Sequence, residues 1–346
     1  KSLSTVDAVL KLQNYITSCL ETEETAIVTF LDLSKAFDCV SHSILLKKLS
    51  AYNIDEESCK LLKSYLENRQ QLVKFNKTFS DHLPINQGVP QGSILGPLLF
   101  LIFVNDLPTN LNSDSVLYAD DTTLLNKLIS DVAPDMVSAE AQSEAFDWFT
   151  ANNLVLNVDK STTMIFTLKK VDIPPSFQSN TNFLGFSLDS KLSWVSHGEN
   201  TAKKVSKNIF LLRHLKENLP REYLRNIYFA LCESHLLYGI LLWGHTSIRH
   251  RLFQLQRRAI RIVSNLKYRE DCREQFRKLN IMTLPSLYIF TCLNYIKKHE
   301  NEFSAHSDFH EYNTRHKNNL CPKEIRLKKS QDAVNYFTIK FYNKTS

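Results

Sequence analysis

Two aspartates stand side by side, Asp120 and Asp121, inside the apolar stretch SVLYADDTTLL (115–125). A third, Asp32, comes near the end of another apolar run, TAIVTFLDL (25–33). Adjacent carboxylates in apolar surroundings repel each other and lose hydration unless a cation lies between them. A turn is the plainer reading of DDTT, since Asp favours turns. If the two runs pair as strands, the three acids converge on one sheet edge. Such a cluster suits Mg²⁺, which takes hard oxygen ligands from a few carboxylates, phosphates and water. Two such ions ~4 Å apart can activate a 3′-hydroxyl and stabilise a leaving pyrophosphate.

A second segment with chemical potential is QGVPQGSILGP (87–97). The chain has only seven glycines, and Gly88, Gly92 and Gly96 fall within nine residues here. Clustered glycine in a glycine-poor chain means a sharp turn or a close backbone approach. Charge is also uneven. The net charge is +6, but residues 201–280 hold 17 Lys+Arg and 6 Asp+Glu, hence +11, leaving −5 elsewhere. A basic segment beside a mildly acidic one suggests a polyanion contact in one place and metal chemistry in another. In RLFQLQRRAIRIV, residues Leu252, Leu255, Ala259, Ile262 and Val263 share a helical face. Arg257 and Arg261 fall opposite, with Arg251 and Arg258 on the flank. KKVSK (203–207) opens another amphipathic helix carrying Lys203 and Lys207. Cations opposite an apolar stripe fit phosphate contacts, and a solvated charged face is the competing reading.

These residues need elements to hold them. Residues 4–20 carry helical periodicity, and 25–33 reads as a buried strand. SHSILLKKL and DEESCKLLKSYLENR read as helices, the second capped by Asp55. QLVKF and its continuation read as a hairpin. A helix over 98–107, a VLYADDTTLL hairpin and a helix near 137–151 follow. TTMIF and NFLGFSLD read as two short strands, and the pattern from about 200 onward is helical. Strands and helices mixed without regular βαβ alternation indicate an α+β fold.

Apolar content of 43% and charged content of 23% read as globular. The longest apolar run, ILGPLLFLIFV (94–104), is shorter than the ~18 residues a membrane span needs. No signal-peptide pattern opens the sequence, and we expect an intracellular protein, nuclear or cytoplasmic, without a membrane partner. Seven scattered cysteines without a C-x-x-C pair fit a reduced protein. Cys292, His299, His306, His310, His316 and Cys321 show no zinc-ligand spacing.

Taken in order, FLDLSKAFDCVSH, GVPQGSILGPLLFLIFVNDL, YADD, NNLVLNVDKSTTMIF and FLGFSLDSKLSW resemble the successive palm motifs of reverse transcriptases. More narrowly, the sequence resembles those of non-LTR (LINE-like), jockey-type retrotransposons. STVDAVLKL resembles the end of the fingers, and TLPSLYIF and YNTRHKNNL…P resemble the segment such elements carry after the thumb. The resemblance implies a right-hand polymerase palm, an antiparallel sheet with packed helices, followed by a helical thumb. It implies RNA-directed DNA synthesis: two Mg²⁺ ions, with Mn²⁺ as a substitute, add dNTPs to a DNA primer on an RNA template.

Residue by residue, the resemblance makes Asp32, Asp120 and Asp121 the metal ligands, with Tyr118 in the same tetrapeptide. Strand alternation suggests that Asp121 binds metal only indirectly. Phe37 matches the aromatic under the sugar, whose ring would exclude a 2′-hydroxyl; an ordinary core Phe is the alternative. Gln91 and Gly92 match the loop facing the incoming nucleotide and template. Lys160 matches a lysine near the triphosphate that could protonate pyrophosphate. Leu184 and Gly185 match the primer-gripping hairpin. Lys203, Lys207, Arg257 and Arg261 would contact template–primer phosphates. Asp38 and His42 read as turn or cap residues.

The expected organisation is a fingers remnant at 1–30, a palm at 31–195, a basic helical thumb at 196–300 and a basic tail at 301–346. The fingers motifs with triphosphate-clamping Lys and Arg do not stand ahead of Asp32, so we read the sequence as a piece of a longer chain. Two other functions compete. One is a relic that binds nucleic acid without catalysis; the other is an RNA-templated RNA polymerase, which Phe37 disfavours.

Overall fold

A computed structural model describes residues 3–128, 132–170, 172–309, 317–322, 325–327, 331 and 334–345. Two compact units divide the chain: Glu23–Ser179, and Lys1–Thr22 with Asn180–Ser346. These bounds fall at other positions than the expected 30/31 and 195/196. The strand before Asp32 already starts at Ala26, and residues 180–189 pair among themselves.

The 23–179 unit is built on a four-stranded antiparallel sheet, ordered β6-β7-β1-β8. Strand β1 (Ala26–Leu31) is buried along its whole length, as its continuous apolar run requires of a central strand. Helices α2 (His42–Ala51) and α3 (Glu56–Leu66) follow, α3 capped by Asp55, which accepts from Ser58 N at 2.9 Å. Short strands β2 (Gln70–Gln71) and β5 (Leu83–Pro84) pair around the β3 (Lys74–Phe75) and β4 (Thr78–Phe79) hairpin. Helix α4 spans Leu95–Val104, three residues earlier than periodicity indicated. Pro97 lies in its first turn, where a missing N–H costs nothing.

The β6 (Asp114–Tyr118) and β7 (Asp121–Lys127) hairpin comes next, then α5 (Pro134–Ala151) and β8 (Thr162–Phe166). Helix α5 starts earlier than expected because Pro134 is a favourable first helical residue. It packs across β1 and β7. One core joins Leu31 and Leu124 of the sheet to Phe100 and Phe103 of α4, Leu45 of α2 and Phe149 of α5.

The other unit is mostly helical. Helix α1 (Thr5–Glu21) opens with a Ser4–Asp7 capping box. NFLGFSLD is a hairpin, β9 (Asn180–Phe183) and β10 (Phe186–Asp189), not one strand. Leu184 and Gly185 both have positive φ, +47° and +78°, and turn the chain back. Helices α6 (Val195–Leu215), α7 (Arg221–Tyr228), α8 (Ser234–Leu237), α9 (Ile240–Trp243), α10 (Arg249–Val263), α11 (Arg273–Lys278) and α12 (Leu284–Lys298) follow, and α13 (Val334–Thr345) closes the chain. Gln256 of α10 is fully buried. Its amide donates to Tyr228 Oη and Met282 O, both at 2.9 Å, and its oxygen accepts from Leu284 N at 2.7 Å. That one satisfied amide ties α7, α10 and the start of α12 together. His306 Nδ1 lies 3.1 Å from Cys321 Sγ. His310 and His316, like much of 301–346, lie outside the described residues.

His197 of α6 is buried against Phe186 and Trp194, and its Nε2 makes no hydrogen bond among the described residues. Burial, helped by Lys204, pushes its pKa down to about 4. An unfolded chain protonates this imidazole below ~6.5, whereas the folded one does so only near 4. Stability is therefore full above pH 6.5 and falls as the pH drops toward 4, by on the order of 3 kcal/mol from this group. His197→Phe should flatten that decline in urea unfolding followed from pH 7 to 4.

Candidate active site

Asp32 follows directly on β1, and its position is fixed from both sides. On one side β1 pairs with β7, the last partners being Leu31 and Thr122. The same register carried one residue further faces Asp32 with Asp121. On the other side, Asp32 O accepts from Asn157 N at 2.8 Å, and Asp32 N donates to Ser161 Oγ at 3.3 Å. The residue after it, Leu33, bridges to Leu156.

Tyr118 ends β6 and pairs with Asp121, which begins β7, so Ala119 and Asp120 form a two-residue turn. Ala119 adopts φ +52°, a conformation costly for a residue with a Cβ, on the order of 1 kcal/mol. Because Asp120 lies in the turn rather than in a strand, strand alternation does not separate the two aspartates. The Asp121 carboxyl is raised above its ordinary range, first by burial, then by the charges of Asp120 and Asp32. Three carboxylates thus share one end of the sheet and feel one another. Among the described residues, no three His, Cys, Asp or Glu side chains converge tightly enough to hold a metal ion. Lys160 is the nearby cation, its Nζ 3.8 Å from Asp32 Oδ2 with a side chain 70% exposed. The 157–161 turn that holds the Asp32 backbone also carries Lys160.

Phe37 sits in a short 3₁₀ turn (Ala36–Asp38) and stacks on Phe100, ring centroids 4.7 Å apart. It is half-buried, part of its ring packed on the core and part exposed. The 3₁₀ turn and the glycine-rich loop are laced together. Val89 N donates to Phe37 O at 2.8 Å, and Gly88 N to Val40 O at 2.7 Å. Gln91 Nε2 donates to Asp38 Oδ1 at 2.8 Å. His42 Nε2 lies 2.8 Å from Gly88 O. Asp38 lies in the turn and His42 opens α2, near the turn and cap positions expected of them, and both also tether the loop. A carboxylate only accepts, so Asp38 fixes the Gln91 NH₂ group, and the Gln91 oxygen has no partner among the described residues. Gly92 is exposed with φ +79°, and open space surrounds its Cα.

Gly88 is the hinge of this lacing. Its φ is +86°, and a Cβ there would lie 2.8–3.0 Å from the Asp38 backbone. Gly88→Ala should destabilise the protein by roughly 2 kcal/mol or more, read as a lowered melting temperature. Gly92→Ala carries only the φ strain and should cost less.

The remaining expected residues lie in the helical unit. Leu184 and Gly185 form the β9–β10 turn, whose Leu184 carbonyl accepts from Tyr238 Oη at 2.5 Å. Tyr238 also stacks on Phe186. The next residue, Gly239, has φ +61°, and a Cβ there would collide with the Phe186 ring at 2.0 Å. Lys203 and Lys207 project from α6 fully into solvent. Arg257 and Arg261 are only half-exposed, and Arg261 Nε donates to Glu270 O at 2.7 Å. Facing away from the apolar stripe did not free Arg261, because the loop after α10 folds back over it. Arg251 is bound to Glu199 of α6.

Residues 2–188, more than half of the chain, match the family model for reverse transcriptase (RNA-dependent DNA polymerase). The curated "Probable RNA-directed DNA polymerase from transposon BS" of Drosophila melanogaster is 29% identical over 81% of this chain and 33% of its own length. The "RNA-directed DNA polymerase from mobile element jockey" of the same organism is 28% identical over 81% of this chain and 33% of its own. The chain thus spans about a third of the length of these relatives. Among solved structures, Candida albicans telomerase with a fragment of telomeric RNA has a TM-score of 0.47 at 15% identity, covering 86% of this chain and 49% of that one. That likeness is too distant to carry an argument. On the family match, and on the ordered motifs that run through it, the chain belongs to the reverse transcriptase family.

Proposed function

We propose that this chain is the polymerase core of a non-LTR, jockey-like retrotransposon enzyme, extending a DNA primer on an RNA template with dNTPs. The observation that carries the reading is the register that sets Asp121 opposite Asp32, with Asp120 in the adjoining turn. In this reading Glu23–Ser179 serves as the palm, and the helices after Trp194 serve as thumb and tail. The protein works inside the cell, in nucleus or cytoplasm. No helix among the described residues is long and apolar enough to cross a membrane.

Reverse transcriptases work with divalent metal ions. The donor chemistry suits one, hard carboxylate oxygens that repel one another with Asp121 already disfavoured as an anion, and the three side chains would have to draw together around it. Asp32, Asp120 and Asp121 would hold Mg²⁺, two ions in the full site, with Mn²⁺ able to substitute. Metal held there would supply activation of the primer 3′-hydroxyl and charge stabilisation of the leaving pyrophosphate.

The chain's own residues do the rest. Phe37, braced by Phe100, closes the space beside the sugar against a 2′-hydroxyl. Gln91 and Gly92 face nucleotide and template. Lys160 balances Asp32 in the free protein and can donate a proton to pyrophosphate. The Leu184–Gly185 turn bears on the primer end. Lys203 and Lys207 neutralise duplex phosphates, a role for which Arg261 is poorly placed.

The direct test is extension of a labelled DNA primer on an RNA template with Mg²⁺ and dNTPs. Template-complementary lengthening is expected, and binding without lengthening would refute the reading. For the lysines, Lys203→Gln with Lys207→Gln should flatten the salt dependence of template–primer affinity by ~1–2 in log–log slope. Fluorescence anisotropy over a salt series measures this, and melting should be unchanged because both side chains are solvated.

A further inference from the structure

Beside α10 lies a concavity of about 450 Å³. Arg251, Arg257, Arg258, Arg261 and Arg269 line it together with Tyr268, and none of its lining residues is acidic. Arg251 is committed to Glu199, and Arg261 to the Glu270 carbonyl. Arg257 and Arg269 make no hydrogen bond or ion pair among the described residues. Five guanidinium groups around one hollow repel one another, and an anion in the hollow relieves that repulsion. The volume is about fifteen times the ~30 Å³ of a water in the liquid. It therefore accommodates a nucleotide and not merely a small ion.

Tyr268 narrows the ligand class. It is 68% exposed, far more than an aromatic with a purely structural role needs. The Arg258 guanidinium lies over its ring, 5.5 Å from the centroid, and donates to its hydroxyl at 3.4 Å. That bond, with the charges of Arg258, Arg269 and Arg261, holds the phenol below its ordinary range, a sign of the positive field there. The ring is thus flanked by a cation, and most of it is exposed to solvent. An exposed aromatic ring among arginines is the pattern that takes an unpaired base, with phosphates on the cations. A duplex keeps its bases stacked within itself and gains nothing from such a ring.

We propose that the hollow formed by α10 and the loop after it binds a single-stranded nucleic acid segment. One base stacks on Tyr268, and the flanking phosphates meet Arg257 and Arg269. The site is built from residues of the helical unit alone and does not require the chain to be an active polymerase.

The test is anisotropy of the whole chain with three fluorescein-labelled probes: a 12-nucleotide RNA, the same sequence as DNA, and an RNA–DNA hybrid duplex. Tyr268→Leu should weaken single-strand binding on the order of tenfold, the worth of one stacked base, and leave the hybrid unchanged. Tyr268→Phe should bind like wild type, because the ring and not the hydroxyl does the stacking. Arg269→Gln should flatten the single-strand salt slope by ~0.7. Comparing the RNA and DNA strands tells which sugar the site prefers. Equal weakening of single strand and hybrid by Tyr268→Leu, or no weakening of either, would overturn the proposal. Primer extension by the same preparations reports separately on the polymerase reading, so the two can fail independently.

Discussion

Asp120→Asn is expected to cut primer extension by about a thousandfold or more while raising the stability of the metal-free protein. The loss follows from what a bound cation contributes to a phosphoryl-transfer transition state, several kcal/mol, where ~4 kcal/mol is a factor of about 10³. The gain follows from electrostatics, because Asp121 is held by the charges of Asp120 and Asp32 as well as by burial. Neutralising one of three like charges relaxes the other two. Single-turnover extension in Mg²⁺ and thermal melting in EDTA give the two readouts on one preparation. A structural role for Asp120 would move both in the same direction, whereas a metal ligand moves them oppositely.

Phe37→Ala should lower discrimination between dGTP and GTP by tenfold or more, read as the ratio of incorporation efficiencies. Each tenfold corresponds to about 1.4 kcal/mol, a modest demand on a ring that excludes one hydroxyl. The stack on Phe100 makes Phe37 a contributor to the core as well. Ala should therefore also cost stability, roughly 1–3 kcal/mol for a half-buried aromatic. Phe37→Leu separates the two effects by keeping much of the volume while removing the flat edge. If both variants discriminate like wild type, Phe37 is a core residue only.

Much of this was legible in the sequence wherever the signal is local. The apolar run ending near Asp32, the YADD turn, the Asp55 cap and the glycine cluster each declare themselves within ten residues. The motif order carried the family. What could not be read is what depends on distant partners. Asp38 meets Gln91, and Arg261 meets a carbonyl nine residues on, only because loops return over them. Gln256 sits in a stripe of arginines yet is buried, because three backbone and side-chain partners from α7 and the start of α12 satisfy its amide. Gly239 also went unread, because a lone glycine in a helical segment shows what it makes room for only once its partner is known. The partner it accommodates, Phe186, lies fifty-three residues earlier, beyond the reach of periodicity.

The account rests on Asp32, Asp120 and Asp121 acting as one divalent metal site. Its most direct test is the melting temperature of wild type and Asp120→Asn across a Mg²⁺ titration, repeated with Mn²⁺. Metal that binds only the folded state stabilises it by RT ln(1 + [metal]/Kd), so the melting temperature climbs with the logarithm of metal concentration above Kd. Wild type should show a rise that grows with the logarithm of metal concentration, absent or much reduced in Asp120→Asn. Equal rises in the two proteins would contradict it.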